Sequence, residues 1–168
     1  SLNSEIENSI YETNSFLIGK KFSLIEYCSF FGSIQIFNYL YKNDVEIKPK
    51  LMLFAIHGSN QEIINIIEQK IVNENEDFFI NCLNESIKCH NNDLVNYISN
   101  NFLVDLSGKS YIINKSSLKY YNFNFISKYA LDKSIFYELC NYDYSYLVKL
   151  LLSANEIEVN YRLILLLL

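Results

Sequence analysis

Four cysteines and two histidines, Cys28, Cys82, Cys89, Cys140, His57 and His90, carry the metal-binding and nucleophilic chemistry available to this sequence. Cys82, Cys89 and His90 fall within nine residues. Zinc needs four converging ligands, usually supplied in part as a close C-x₂₋₄-C pair, and no such pair occurs. Cys89 and His90 are neighbours, and consecutive helical residues point about 100° apart, so they do not form a nucleophile and base by themselves. His57 falls on a similar turn one unit earlier and meets Cys89 only if the two segments stack. The acid pairs Glu5/Glu7 and Glu74/Glu76 belong to polar segments and read as solvated faces, not as the flanking carboxylates of a glycosidase. Phosphate-loop, dinucleotide-loop, zinc-helix and nucleophile-elbow motifs do not occur. The expectation is four reduced structural thiols with no catalytic, metal-ligating or cofactor-binding residue, and hence no enzyme.

The elements that hold these residues follow from composition and repetition. The chain has 168 residues, half of them hydrophobic and 20% charged, which excludes disorder and fits one domain or one compact array. Only four glycines and one proline are present, so tight hairpins and glycine-rich loops must be rare. Helices joined by Asn- and Asp-rich turns fit better. A net charge of −5 provides no field for a polyphosphate backbone, so the interleaved Lys119-Tyr120-Tyr121 and Lys128-Tyr129 read as packing residues and nucleic acid is not an expected partner. The longest apolar runs, Leu51–Ile56 and Leu163–Leu168, fall far short of the roughly 20 residues that cross a bilayer. An intracellular, cytoplasmic protein is expected, with a host-facing location left open.

One pattern recurs: an apolar helix-like run, a small or polar break, then apolar-apolar-polar-apolar-apolar. The second runs are Ile36-Phe37-Asn38-Tyr39-Leu40, Ile63-Ile64-Asn65-Ile66-Ile67, Leu94-Val95-Asn96-Tyr97-Ile98 and Leu147-Val148-Lys149-Leu150-Leu151. The breaks fall at Gly32, Ser59, His90, about Tyr121, and Asp143, with separations of 27, 31, 31 and 22 residues. Each unit therefore predicts two short helices and a turn, and the second helix, apolar around most of its circumference, predicts cover on two sides. Pro49 suits a first helical position, Asn73–Asp77 a solvated loop before a helix, and Val104–Ser117 the longest loop, with Ser110–Ile113 a short strand or frayed helix. Ile6, Ile10 and Tyr11 stand at helical spacing, so residues 1–22 predict a helical cap. The units run over residues 23–48, 49–77, 78–108, 109–133 and 134–160, followed by an apolar segment, 161–168.

The order of small residue, polar residue, apolar pair, polar residue and apolar pair in Gly32–Tyr41, Ser59–Glu68, His90–Ile98 and Asp143–Leu152 resembles the second half of the ankyrin repeat. Thr13–Leu17, Leu24–Tyr27, Phe30–Phe37, Ala55–Gly58 and Ile87–Asp93 look like a divergent ankyrin-related family abundant in trichomonad protists. The resemblance runs from about Thr13 to Asn160. It departs at the paired alanines before the break, which are Cys28-Ser29, Ser86-Ile87 and Leu139-Cys140, and at the hairpin tips, which lack Asp-Gly.

What the resemblance implies is an all-α, ankyrin-like solenoid of about five stacked helix-turn-helix repeats with poorly formed or absent β-hairpins, acting as a protein-protein interaction scaffold. It also implies a concave inner-helix face just before each break, where Phe30, Phe31, His57, Lys88, Lys119, Tyr120 and Tyr142 would meet an unidentified protein partner. Two other readings stay beside it: a structural segment of a longer array that self-associates through its apolar C-terminus and, more remotely, a Cys/His-dependent enzyme or metal-binding protein.

Overall fold

The residues that break the apolar runs share one backbone conformation. Gly32, Ser59, His90, Tyr121 and Asp143 all have left-handed φ, between 47° and 64°. A left-handed residue turns the chain out of a helix and lets the next N–H fold back on a helical carbonyl. Ser33 N–H donates to Cys28 O at 2.8 Å, Asn91 N–H to Ser86 O at 3.0 Å, Asn122 N–H to Ser117 O at 2.9 Å and Tyr144 N–H to Leu139 O at 2.8 Å. Ser59 uses the shorter form, its own N–H donating to Ala55 O at 3.0 Å.

A computed structural model describes residues 2, 4–7, 9–71, 73–126 and 133–153. Among them are α1 (Leu24–Phe30), α2 (Ile34–Lys42), α3 (Leu51–Gly58), α4 (Gln61–Glu68), α5 (Glu76–Lys88), α6 (Asn92–Asn101), α7 (Lys109–Lys119), α8 (Lys133–Asn141) and α9 (Ser145–Ser153). A short 3-10 turn occupies Phe123–Phe125, and the strands β1 (Glu5–Ile6) and β2 (Phe22–Ser23) pair antiparallel. The described structure is all-α apart from those two-residue strands. Helix starts follow from side-chain caps: Ser23 and Glu26 form a reciprocal capping box on α1, Asn60 accepts from Glu62 N–H and Ile63 N–H, and Asn91 accepts from Leu94 N–H. Asn75 accepts from Phe78 N–H at 2.9 Å, and Glu76 and Asp77 stand in the first turn of α5, where the helix dipole favours acids.

The chain divides into two units, Ser1–Glu85 and Ser86–Leu168. In the first, α1 packs on α3 and α2 on α4, burying Ile56, Ile63, Ile64 and Ile67 with Phe37 and Leu40. Leu17, Phe22, Phe30 and Phe54 make a second cluster at the start of the chain. Gly32 and Gly58 let the ends of α1 and α3 touch through backbone: a Cβ on Gly32 would stand 2.7 Å from Gly58 O, and one on Gly58 would collide with Ser29 O. In the second unit α7 packs on α8 and α8 on α9 around Leu118, Ile135, Phe136, Leu139 and Leu151.

Four expectations change. The leader is not a helix in its described residues: Ile6 pairs with Phe22 in the small sheet, while Ile10 and Tyr11 are exposed and Leu17 is the residue that reaches the core. The second helices are covered unevenly: on α4 Ile63, Ile64 and Ile67 are buried and Ile66 is half-buried, whereas on α2 Phe37 and Leu40 lie one turn apart facing inward and turn Ile36 and Tyr39 toward solvent. Tyr97 and Leu150 are exposed in the same way. Most of the expected loop 104–117 is α7, whose Ser110, Tyr111, Asn114, Ser116 and Ser117 have weak helix propensity and which is held by burial of Leu118, Ser117 and Asn114. Pro49 precedes α3 in a turn, its carbonyl accepting from Met52 N–H. In the second half of the fourth unit the described residues hold the 3-10 turn; residues 127–132, the end of the fifth unit, 154–160, and the apolar segment 161–168 lie outside the described residues.

The backbone contact at α1 and α3 gives a direct test. Gly58→Ala and Gly32→Ala should each lower stability by about 2–3 kcal/mol, from overpacking and, at Gly32, a left-handed Ala. Gly19→Ala, also at positive φ but facing open space, should cost about 1 kcal/mol. Urea unfolding of the three variants measures the ordering, and equal losses at Gly58 and Gly19 would contradict the close approach.

Candidate interaction surface

At the end of α1 and α3 the first unit gathers Phe30, Phe31 and His57. Phe30 is buried beneath the leader, its ring 5.7 Å from that of Phe16, and stacks on the His57 ring at 4.8 Å. Phe16 closes on the same imidazole at 4.3 Å. His57 Nε2 lies 2.7 Å from Glu85 Oε1; a carboxylate only accepts, so Nε2 carries the proton. Phe31 is the member that faces outward, 54% exposed, with its ring 4.8 Å from Tyr27 and 5.1 Å from Phe30.

In the second unit the expected positions are more dispersed. Lys88 is half-buried in the last turn of α5, and Lys119, exposed at the end of α7, holds Nζ 5.2 Å from the centre of the Tyr120 ring. Tyr142, half-buried, packs on the Leu118–Leu139 cluster. Cys28 and Cys82 are buried, and desolvation pushes their thiols up to about 11 and about 12, which makes them poor nucleophiles. Cys140 is raised by burial as well.

Several residues absent from the sequence expectation organise these helix ends. Glu26, buried on α1, takes Lys50 Nζ at 2.6 Å on one oxygen and Ser23 N–H and hydroxyl on the other. Glu138, buried on α8, takes Lys115 Nζ at 2.7 Å and Tyr111 hydroxyl at 2.9 Å, both from α7. Burial alone would raise both carboxyls; the hydrogen bonds from Lys50 and Ser23, and from Lys115 and Tyr111, outweigh it and hold each below the ordinary range. The one signal available in sequence was register: Glu85 and Glu138 each stand five residues before a break, at His90 and Asp143. The cleft beside Glu26 mixes both signs of charge, Lys21, Lys48 and Lys50 against Glu5, Glu26, Asp44 and Glu46, and each of its lysines already holds a carboxylate, so no cation there is left over for an anionic ligand.

A second set of contacts ties three of the breaks, at Ser59, Tyr121 and Asp143, to the preceding helix pair. Asn60 Nδ2 donates to Gly32 O at 3.1 Å, Asn122 Nδ2 to Ile87 O at 3.0 Å and to Asn92 Oδ1 at 2.9 Å, and Tyr144 hydroxyl to Leu118 O at 2.7 Å. Each donor is the residue just after a left-handed position. Ser117 Oγ, buried beside this network, has no hydrogen-bond partner.

The lowered carboxyls set the pH response. A carboxyl whose folded pKa lies below its unfolded value stabilises fully above the unfolded value, near 4.5, and loses that contribution as pH falls through the folded value. Stability should therefore hold from pH 7 to about 5 and fall below about 4.5. Glu26→Gln and Glu138→Gln should each be about 1–2 kcal/mol less stable at pH 7 and converge with the unaltered chain toward pH 3. Urea titrations across that range measure it; a gap that stays constant with pH would remove the charge from the explanation.

No helix among the described residues is long and apolar enough to cross a membrane. No curated protein and no solved structure matches the chain. The model of a domain of unknown function, DUF3447, matches residues 41–148, from the end of α2 into α9 and well over half of the sequence. The chain belongs to the DUF3447 family.

Proposed function

We propose that the helix pairs are repeats of an ankyrin-like solenoid and that the chain is a non-enzymatic scaffold for a protein partner, bound along the inner-helix ends. The observation that carries this reading is the exposure of Phe31 on a rigid base. It stands one residue before Gly32, where α1 ends against the backbone of Gly58, and its ring rests on Tyr27 and Phe30. An aromatic side chain that is exposed yet pre-positioned loses little entropy on binding and is a good interface anchor. Lys119 and Tyr120 offer a second, cationic and aromatic, contact at the end of α7. Phe30 serves the reading indirectly, as the buried ring on which Phe31 rests, and half-buried His57 stacks on Phe30.

Exposed Ile36 and Tyr39 on α2 favour a second reading, self-association of the chain as a segment of a longer array. Sedimentation over a concentration series distinguishes the two, since a monomer at every concentration removes self-association. For the scaffold reading, capture from native lysate followed by mass spectrometry should yield a partner whose recovery falls at least tenfold in Phe31→Ala and in the Lys119→Ala/Tyr120→Ala pair, about the loss of one interface anchor. Undiminished recovery in both variants would remove this face as the binding face.

A further inference from the structure

The fourth break differs from the others in its side chain. Gly32, Ser59, His90 and Asp143 are small, polar or both, whereas Tyr121 places a bulky aromatic residue at φ 58°. Bulky L-residues rarely adopt this conformation, and it is retained where surrounding structure or function requires it. Burial does not offset the strain, because Tyr121 is 66% exposed.

What Tyr121 does instead is stand against two other rings. Its centroid lies 6.4 Å from Phe123 at an interplanar angle of 80° and 6.2 Å from Tyr144 at 61°. Phe123 and Tyr144 are 5.8 Å apart at 82°. Three rings that are pairwise steep and nearly equidistant have the spacing and tilt of three walls of an open corner. Phe123, half exposed, stands with Tyr121 on the solvent side. The walls are anchored: Tyr144 by its hydroxyl on Leu118 O, and Tyr121 and Phe123 through Asn122 between them, which donates to Ile87 O and Asn92 Oδ1.

The dimensions suit one kind of occupant. A point about 3 Å outside the triangle of centroids lies about 4.6 Å from all three, within the ~6 Å over which a cation is attracted to an aromatic face. The ring faces repel an anion. A primary ammonium brings three N–H donors that the aromatic faces do not satisfy, and it is strongly hydrated. A quaternary ammonium has no donor to leave unpaired and presents methyl groups to the rings. We propose that Tyr121, Phe123 and Tyr144 form a binding site for a quaternary ammonium group, carried by a small molecule or by a trimethylated lysine of a protein partner.

The test uses the full chain and a matched pair of probes, choline and its neutral isostere 3,3-dimethylbutan-1-ol, titrated by ligand-observed NMR. Choline should saturate, and the neutral isostere should bind at least about fivefold more weakly, the share that cation attraction adds over apolar contact. Phe123→Ala should lose choline binding by a similar factor. Tyr121→Gly guards against a folding failure, because glycine relieves the strained φ: this variant should unfold at higher urea yet bind choline at least fivefold more weakly. A trimethyllysine peptide that binds more tightly than choline, and more tightly than its unmodified form, assigns the source to a partner side chain; choline binding more tightly than that peptide assigns it to a small molecule. Equal affinity for choline and the isostere, no saturable choline binding, or full binding by Tyr121→Gly would overturn the site. Phe31→Ala should bind choline normally, so failure of the scaffold reading and failure of this one are separable.

Discussion

The carbonyls left without partners at the C-terminal end of each first helix are the constraint on which the rest of this structure depends. A helix leaves its last four carbonyls unbonded inside itself, and here those ends are packed against neighbouring helices, not against water. Two devices satisfy them. The left-handed residue returns the following N–H to a carbonyl five residues back, as Ser33 does on Cys28 and Asn122 on Ser117. The side chain of the residue after the break then supplies a donor to the preceding pair: Asn60 to Gly32, Asn122 to Ile87, Tyr144 to Leu118. An unpaired buried carbonyl costs roughly 1–3 kcal/mol, so each contact penalises any sliding of one pair along the next.

Carboxylates act on the same joints, Glu26 and Glu138 buried and Glu85 half-buried. Glu26 meets Lys50 between α1 and α3, Glu85 meets His57 between α5 and α3, and Glu138 meets Lys115 and Tyr111 between α8 and α7. Net stabilisation from a buried ion pair is small, since desolvation offsets most of the attraction. Misplacing one is expensive, because a buried carboxylate then has no partner. Apolar side chains such as those of Ile63, Ile64 and Ile67 tolerate several packings, and the polar contacts choose among them. Backbone proximity enforces the choice most strictly at Gly32 and Gly58, where no side chain fits.

The local half of this design was legible in sequence and the long-range half was not. All five breaks could be placed because a turn out of a helix interrupts a run of apolar residues, and every one of them is left-handed. The leader misled because Ile6, Ile10 and Tyr11 have helical spacing by coincidence: pairing with Phe22 and insertion of Leu17 decide its path, and neither is a periodic feature. α7 misled in the opposite direction, its Ser-rich sequence reading as loop while buried contacts hold it helical. The partners of Asn60, Asn122, Tyr144, His57 and Glu138 lie 23 to 35 residues away, and residue type alone does not identify them. Of the expected surface residues, Phe30 and Phe31 are adjacent in sequence and equally aromatic, yet one is floor and the other is exposed; what separates them is the cover that Phe16, Leu17, Phe22, Phe54 and His57 give Phe30.

These constraints divide the residues around each break into two classes. Positions that close the helix are tied to backbone geometry: the small or apolar residue four before the break, Cys28, Ala55, Ser86, Ser117 or Leu139, is buried in every case, and the residue after the break works as a donor wherever Asn60, Asn122 or Tyr144 stands there. The residue at the break and the one before it contribute backbone to the closure while their side chains project from it. Phe31, Cys89, Tyr120 and Tyr142 thus occupy equivalent positions, three aromatic rings and a thiol, while Ser59, His90, Tyr121 and Asp143 share a position with unrelated chemistry. Changing these side chains leaves the helix-end hydrogen bonds intact, so recognition can vary there without dismantling the joint. Tyr121 shows the limit of that freedom: it accepts a strained φ to place a ring where a smaller residue would close the helix at lower cost.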